Sequence, residues 1–154
     1  MEKQNLTIDY AGNSYIGFGF TALPFGAALQ VACRQVDQAA DAARLAVLGD
    51  PLRAFEYRIA AEEAQAFAVA GYKGTVPATV QAWIDAADLS PQDAADSILA
   101  EAAAWKGALY AIRAARLKGK QQALKAGTHE AVEAVTDAAI AAIKAAVQGV
   151  GNAA

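Results

Sequence analysis

SPQDAADSILAEAAAWKGALYAIRAARL, residues 90–117, is the most fully specified stretch of this chain, and the other segments are read as packing around it. Ser90 is an N-cap residue, Pro91 suits the first helical position, and Asp93 stands where a capping box places an acidic side chain. Ile98, Ala102, Trp105, Leu109 and Ile112 recur at spacings of three and four, with Leu99 widening the stripe, so one apolar face runs along a long helix. Asp93, Asp96 and Glu101 lie toward its N-terminus and Arg113, Arg116, Lys118 and Lys120 toward its C-terminus, as the helix dipole favours. These features specify architecture and leave the chemistry open.

At 154 residues the chain is long enough for a real core, with 56% hydrophobic and 19% charged residues. Its richness in alanine points to an all-α class. Alanine forms helix readily but buries little area, so such helices must pack closely or share a core with other chains, and a homo-oligomer is expected. A net charge of -3 supplies no basic stripe for nucleic acid, and the cluster Arg113, Arg116, Lys118 and Lys120 reads as a solvated helix end. Cys33 is the one cysteine, which rules out an intramolecular disulfide and reads as a small buried helical residue. The N-terminus lacks the layout of a signal peptide, and no segment is apolar for long enough to span a membrane, so synthesis in the cytoplasm is expected.

The remaining chain divides into an N-terminal hairpin or anchor, residues 1–22, and an alanine-rich helical domain, residues 23–154. Leu6, Ile8 and Tyr10 alternate with polar residues, Ala11-Gly12-Asn13 has turn chemistry, and Ile16, Phe18 and Phe20 alternate with glycines, which predicts a β-hairpin. Its glycines do not form a phosphate-binding fingerprint. A first helix is expected from Phe25 to Leu48 with Leu29, Cys33, Val36, Ala40 and Ala43 inward. Asp50 and Pro51 then start a second helix that ends at Gly71, with Leu52, Phe55, Ile59, Ala66 and Phe67 on its apolar side. The short turn between the two suggests an αα-hairpin. A short helix from Pro77 to Ala87 carries Trp83 as an aromatic plug. The long helix continues toward Lys125 with Gly119 as a kink or fraying point. Thr128 caps a last helix with a stripe of Val132, Val135, Ala139, Ile143 and Val147, and the tail GVGNAA is small and flexible in composition. The fold expected is mainly α, an antiparallel bundle of about five helices with a short N-terminal β-hairpin.

No catalytic, cofactor-binding or metal-binding constellation is visible. His129 has one neighbouring carboxylate, too few ligands for a metal, and reads as a surface residue at a helix start. Glu62 and Glu63 are adjacent on a helix and do not face each other, so they read as solvated carboxylates and not as an acid–base dyad. Ser14, Ser90 and Ser97 occur in no nucleophile-elbow setting.

Residues 49–83, GDPLRAFEYRIAAEEAQAFAVAGYKGTVPATVQAW, and 94–121, AADSILAEAAAWKGALYAIRAARLKGKQ, together resemble a helical module of tailed-bacteriophage tail proteins, common in tail-fibre assembly proteins and small tail proteins. The shared pattern is an Ala/Glu-rich helix (Glu62 to Phe67), a Gly71-Tyr72 loop, a Val76-Pro77 turn, a short helix, and then Ala95, Ile98, Leu99, Ala102 and Trp105 ahead of basic Arg113 and Arg116. The resemblance implies a non-enzymatic tail protein of the fibre or baseplate region, resident in the virion tail after assembly in the host cytoplasm. Its partners would be other phage tail proteins, with no nucleic acid, membrane or cofactor. The alternative within the class is an assembly chaperone absent from the virion. On this reading the partner-binding residues are Tyr10, Tyr15, Phe18 and Phe20 of the hairpin and Trp105, Leu109 and Ile112 of the long helix. Two other classes compete: a small ligand-binding module or enzyme with a pocket between Trp83, Trp105 and Tyr110, and a lipid-surface helix, which the sparse Lys/Arg of the polar faces disfavours.

Overall fold

Three helices begin where the sequence supplies a side-chain partner for an orphaned backbone N–H, at Asp50, Ser90 and Thr128. The computed structural model describes residues 1–150; residues 151–154, the end of the GVGNAA tail, lie outside the described residues. Among the described residues are strands β1 (Leu6–Tyr10) and β2 (Asn13–Phe18), a 3-10 turn (Phe20–Ala22), and helices α1 (Phe25–Leu48), α2 (Pro51–Val69), α3 (Ala78–Ala87), α4 (Pro91–Lys125) and α5 (His129–Ala145). The fold is therefore mainly helical, with an antiparallel N-terminal hairpin. It divides into two compact units, the first of Met1–Arg44 and Leu109–Gln148, the second built on Leu45–Ala108. The hairpin lies within the first unit, and α4 contributes a half to each.

In the first unit, Ala11 and Gly12 both take positive φ, 51° and 81°, as a tight two-residue hairpin turn with the twist of its strands requires. Gly17, at φ 76°, sits at a bulge that shifts the register between Leu6, opposite Phe18, and Thr7, opposite Ile16. Leu6 and Ile8 enter a core with Leu23, Ala28, Val31, Ala123 and Val132. The alternation expected to reach Phe20 stops at Phe18: Phe20 opens the 3-10 turn and is buried at 1% exposure. The Gln35 amide, buried on α1, accepts from the Glu2 N–H at 2.7 Å and donates to the Glu2 carbonyl at 3.0 Å, satisfying that peptide as a neighbouring strand would. Lys3 pairs with Glu133 of α5, and the α-amino group of Met1 pairs with Asp137.

Two readings of this unit are corrected. His129 is half-buried: its Nε2 lies 3.0 Å from the Leu23 carbonyl, and its ring stands edge-on to Phe20 and Phe25 at 5.8 and 5.3 Å. Gly119 is neither a kink nor a fraying point, because α4 runs through it unbroken and it is buried against α5. A Cβ placed there would fall 2.3 Å from the Cβ of Ala139, so this glycine is what allows the two helices to cross so closely. On α1 the buried positions come two per turn, Ala27-Ala28, Val31-Ala32 and Gln35-Val36, then Ala40 and Ala43, with Leu29 and Cys33 half-buried beside them.

In the second unit, Asp50 accepts from the Leu52 N–H at 2.7 Å and Pro51 opens α2. That helix ends in a Schellman motif: the Tyr72 N–H reaches the Phe67 carbonyl, the Gly71 N–H reaches Ala68, and the Tyr72 and Phe67 rings meet edge-on at 5.8 Å. Glu63 is not merely solvated, because it accepts from both the N–H and the hydroxyl of Thr79 and so caps α3 across the loop. Ser90 and Asp93 form the expected start of α4: the Asp93 N–H donates to Ser90 Oγ, and that hydroxyl donates to the Asp93 carboxylate. Ala64, Phe67, Val80, Ala94 and Ala95 form the core, and Trp83 packs against it. Of the side expected to face this core, Phe67 is buried, but Leu52, Phe55 and Ala66 are exposed and Ile59 is half-buried, while Ala64, outside that stripe, is buried.

The glycine contacts give opposite expectations for one substitution at two sites of α4. Gly119→Ala gains about 1 kcal/mol of helix propensity but overpacks against Ala139 at a cost of about 1–3 kcal/mol, so denaturant midpoints should fall. Gly107→Ala meets nothing within 4 Å and should add up to about 1 kcal/mol of stability, so its midpoint should rise. Equal effects at the two sites would contradict the close crossing.

Candidate functional site

Six of the seven residues expected to bind a partner are buried or half-buried, and Phe18 alone is exposed. Phe20 is in the core, as described, and Ile112 is fully buried, so neither offers surface to another chain. Tyr10 is half-buried, its hydroxyl lying where a Cβ on Gly26 would fall 2.0 Å away. Trp105 is half-buried with its ring edge-on to Tyr57 at 4.7 Å. Leu109 and Tyr15 are also half-buried, Tyr15 edge-on to Phe18 at 5.4 Å. What the hairpin does expose is Phe18 and Ile16, the latter at 73%. Trp83 donates its indole N–H to Ser97 Oγ at 2.8 Å, and that hydroxyl donates to the Ala94 carbonyl, so the indole is held inside the second unit.

The polar groups that do converge are structural in form. Asp37 on α1 receives Arg116 at 2.9 Å and Lys120 at 2.6 Å from α4, which corrects the reading of these two cations as a solvated helix end; Arg113 and Lys118 remain exposed. Burial pushes the Asp37 carboxyl up, but the hydrogen bonds and charges of Lys120 and Arg116 outweigh it and hold the group below the ordinary aspartate range. Burial also raises the Cys33 thiol, with Lys120 opposing, so little reactive thiolate is present at neutral pH. In the second unit the Tyr72 hydroxyl donates to Asp96 at 2.6 Å, and burial raises the Glu101 carboxyl. Among the described residues no three His, Cys, Asp or Glu side chains gather as a metal-binding set, and no helix is long and apolar enough to cross a membrane.

Two helix faces carry large apolar side chains outward. On α2 these are Leu52, Phe55 and Val69, at 76%, 52% and 79% exposure, beside an open groove of about 640 Å³ between α2 and the first half of α4. On the second half of α4 they are Tyr110, Leu117 and Leu124, each seven residues from the next and so on one line of the helix. Exposed Arg113, Lys118 and Lys125 flank that line, and α4 has no acidic residue after Glu101. Fully burying one such side chain contributes about 1.5–3 kcal/mol, and aligned exposed apolar groups commonly mark an interaction site. The heptad of Tyr110, Leu117 and Leu124 was readable in the sequence, but the stripe through Trp105 and Ile112 on the opposite side of the helix is richer in large residues and drew the assignment.

Comparison of the chain with protein-family models, with curated proteins and with solved structures finds no match.

The Asp37 cluster gives a pH signature. A carboxylate whose pKa is depressed by folding contributes stability that is complete above its unfolded value and lost as pH falls through the folded one. Asp37→Asn should therefore cost about 1 kcal/mol at pH 7, a modest figure because the group is a third exposed and water screens the pair. The difference from the parent protein should be complete above the ordinary aspartate range and shrink as pH falls below it and the Asp37 carboxylate is protonated. Urea melts across pH 2–7 check this; a difference independent of pH would contradict the ion-pair account.

Proposed function

We propose that this protein is a non-enzymatic component of a bacteriophage tail, in the fibre or baseplate region, working through helix-to-helix contacts. Two lines support the reading. One is the resemblance of residues 49–83 and 94–121 to the tail-protein module, whose Gly71-Tyr72 loop is the Schellman end of α2 and whose Val76-Pro77 turn leads into α3. The other, which carries it, is the outward line of Tyr110, Leu117 and Leu124 on α4 with cations on its flanks. Apolar residues at heptad spacing fit the seam of a second helix, and flanking charges select which helix.

The occupant that fits is an amphipathic helix of another tail protein with acidic flanks. Pairing this face with a second copy of itself would set Arg113, Lys118 and Lys125 against like charges, which is unfavourable. The strip is one residue wide and interrupted by Gln121, narrower than an interfacial membrane helix requires. A structural component is the reading preferred here over an assembly chaperone, and a purified particle separates them by whether the protein is present at fixed stoichiometry.

The test is complex formation with the products of neighbouring tail genes, followed by light scattering and titration. Leu117→Asp with Leu124→Asp should retain helical content and weaken the complex at least about 10-fold, since each removes a buried apolar contact. Reversing Arg113, Lys118 and Lys125 to Glu should weaken it and reverse its salt dependence. Binding unchanged by both sets, or binding to anionic vesicles in place of any protein, would contradict the proposal.

A further inference from the structure

The hairpin guards one of its edges and leaves the other open. Across the two-residue turn Tyr10 faces Asn13, and beyond it Ile8 faces Tyr15, as the pairs that exchange backbone hydrogen bonds. The backbone groups of the residues between and beside them, Thr7 and Asp9 on β1 and Ser14 and Ile16 on β2, therefore point away from the partner strand. The Thr7 carbonyl confirms this parity, because it accepts from Arg34 Nη2 of α1 at 2.9 Å. Arg34 thus occupies the β1 edge and Asp9 adds a second charge to it, which is how native sheets discourage further pairing.

The β2 edge has no such cover. Asn13–Phe18 contains no charge and no proline, all its residues but Tyr15 are exposed, and among the described residues none outside the hairpin bonds the N–H or carbonyl of Ser14 or Ile16. From Tyr10 to Cys33 the chain carries no charged residue at all. What fits such an edge is an extended, uncharged strand, and β2 of a second copy is one in matching register. Turned antiparallel about a two-fold axis at Tyr15, Ser14 of each copy exchanges both backbone bonds with Ile16 of the other, and no charge is buried. Tyr15 then faces Tyr15 across the axis. That ring packs at the margin of the first unit's core and is half-buried there, so its mate covers the remainder. The edge of β1 offers no equivalent, since Arg34 holds it.

We infer that two copies of this chain join their hairpins edge to edge through β2, turning a two-stranded sheet into a continuous antiparallel one of order β1-β2-β2-β1. The bulge at Gly17 bends the strand and confines the pairing to residues 14–16, so the contact is short and the dimer depends on concentration. This surface differs from the cation-flanked line of α4, and the inference stands independently of the tail assignment.

Sedimentation over a concentration series and disulfide trapping of the full chain in a Cys33→Ser background test this. The mass should rise from monomer toward dimer. Tyr15→Cys alone should link two chains on mild oxidation, since its Cα would lie about 4.5 Å from its symmetry mate; Ser14→Cys should not, its mate lying diagonally about 7–8 Å away. Ile16→Pro removes an outward N–H and leaves the β1–β2 ladder intact, so it should keep the helical content and weaken the dimer about 10-fold or more. If that variant loses helical content, the two cysteine variants decide. A monomer at all concentrations, trapping of Ser14→Cys as readily as Tyr15→Cys, or a dimer indifferent to Ile16→Pro would overturn the inference. A monomer that still joins tail particles would overturn it while leaving the proposed function intact.

Discussion

Close approach of helix backbones is the constraint on which this structure depends. Where α4 crosses α5, Gly119 meets Ala139 with no room for even one more carbon, and α1 buries two residues on each of three successive turns, three of the six being alanine. Close packing gains dispersion contact over the backbone, but each alanine removes little apolar area from water. Much of the chain's bulk, in Leu52, Phe55, Val69, Leu117 and Leu124, consequently remains outside the cores. A fold built on small residues thus leaves its larger ones free for contact with other chains.

Polar clamps complement these slender cores. Gln35 satisfies the Glu2 peptide, Asp37 gathers two cations from α4, His129 ties the start of α5 to the carbonyl ahead of α1, and Glu63 caps α3 from α2. Each joins segments distant in sequence within one unit, and each satisfies groups that would otherwise be costly to bury.

The helices were legible because their signals are local. Asp50-Pro51, Ser90 to Asp93 and Thr128 cap helices where expected, and the Gly71 end of α2 follows from a single glycine. Facing was less legible. Of the stripe Leu52, Phe55, Ile59, Ala66 and Phe67 expected to face inward on α2, only Phe67 is buried, and Ala64 joins it in the core, because α3 and α4 pack where small residues let them approach. Phe20 continued an alternating pattern that Gly19 and the 3-10 turn break, so an expected anchor became core. Gly119 and His129 were misread for one reason: their roles depend on Ala139 and Leu23, neighbours that no local window contains. The contact faces were visible as spacing, but whether a stripe points inward or outward is a tertiary property.

The central claim is that the apolar residues left outside the cores are contact surface. Hydroxyl-radical footprinting compares side-chain solvent access in the isolated protein at low concentration with that in its assembled state. The account predicts that Leu52, Phe55, Leu117 and Leu124 are oxidised in the isolated chain and protected on assembly, while Ile143 and Phe20 are protected in both. If those four side chains stay equally reactive in the assembly, the faces are not where the protein makes its contacts, and the account fails.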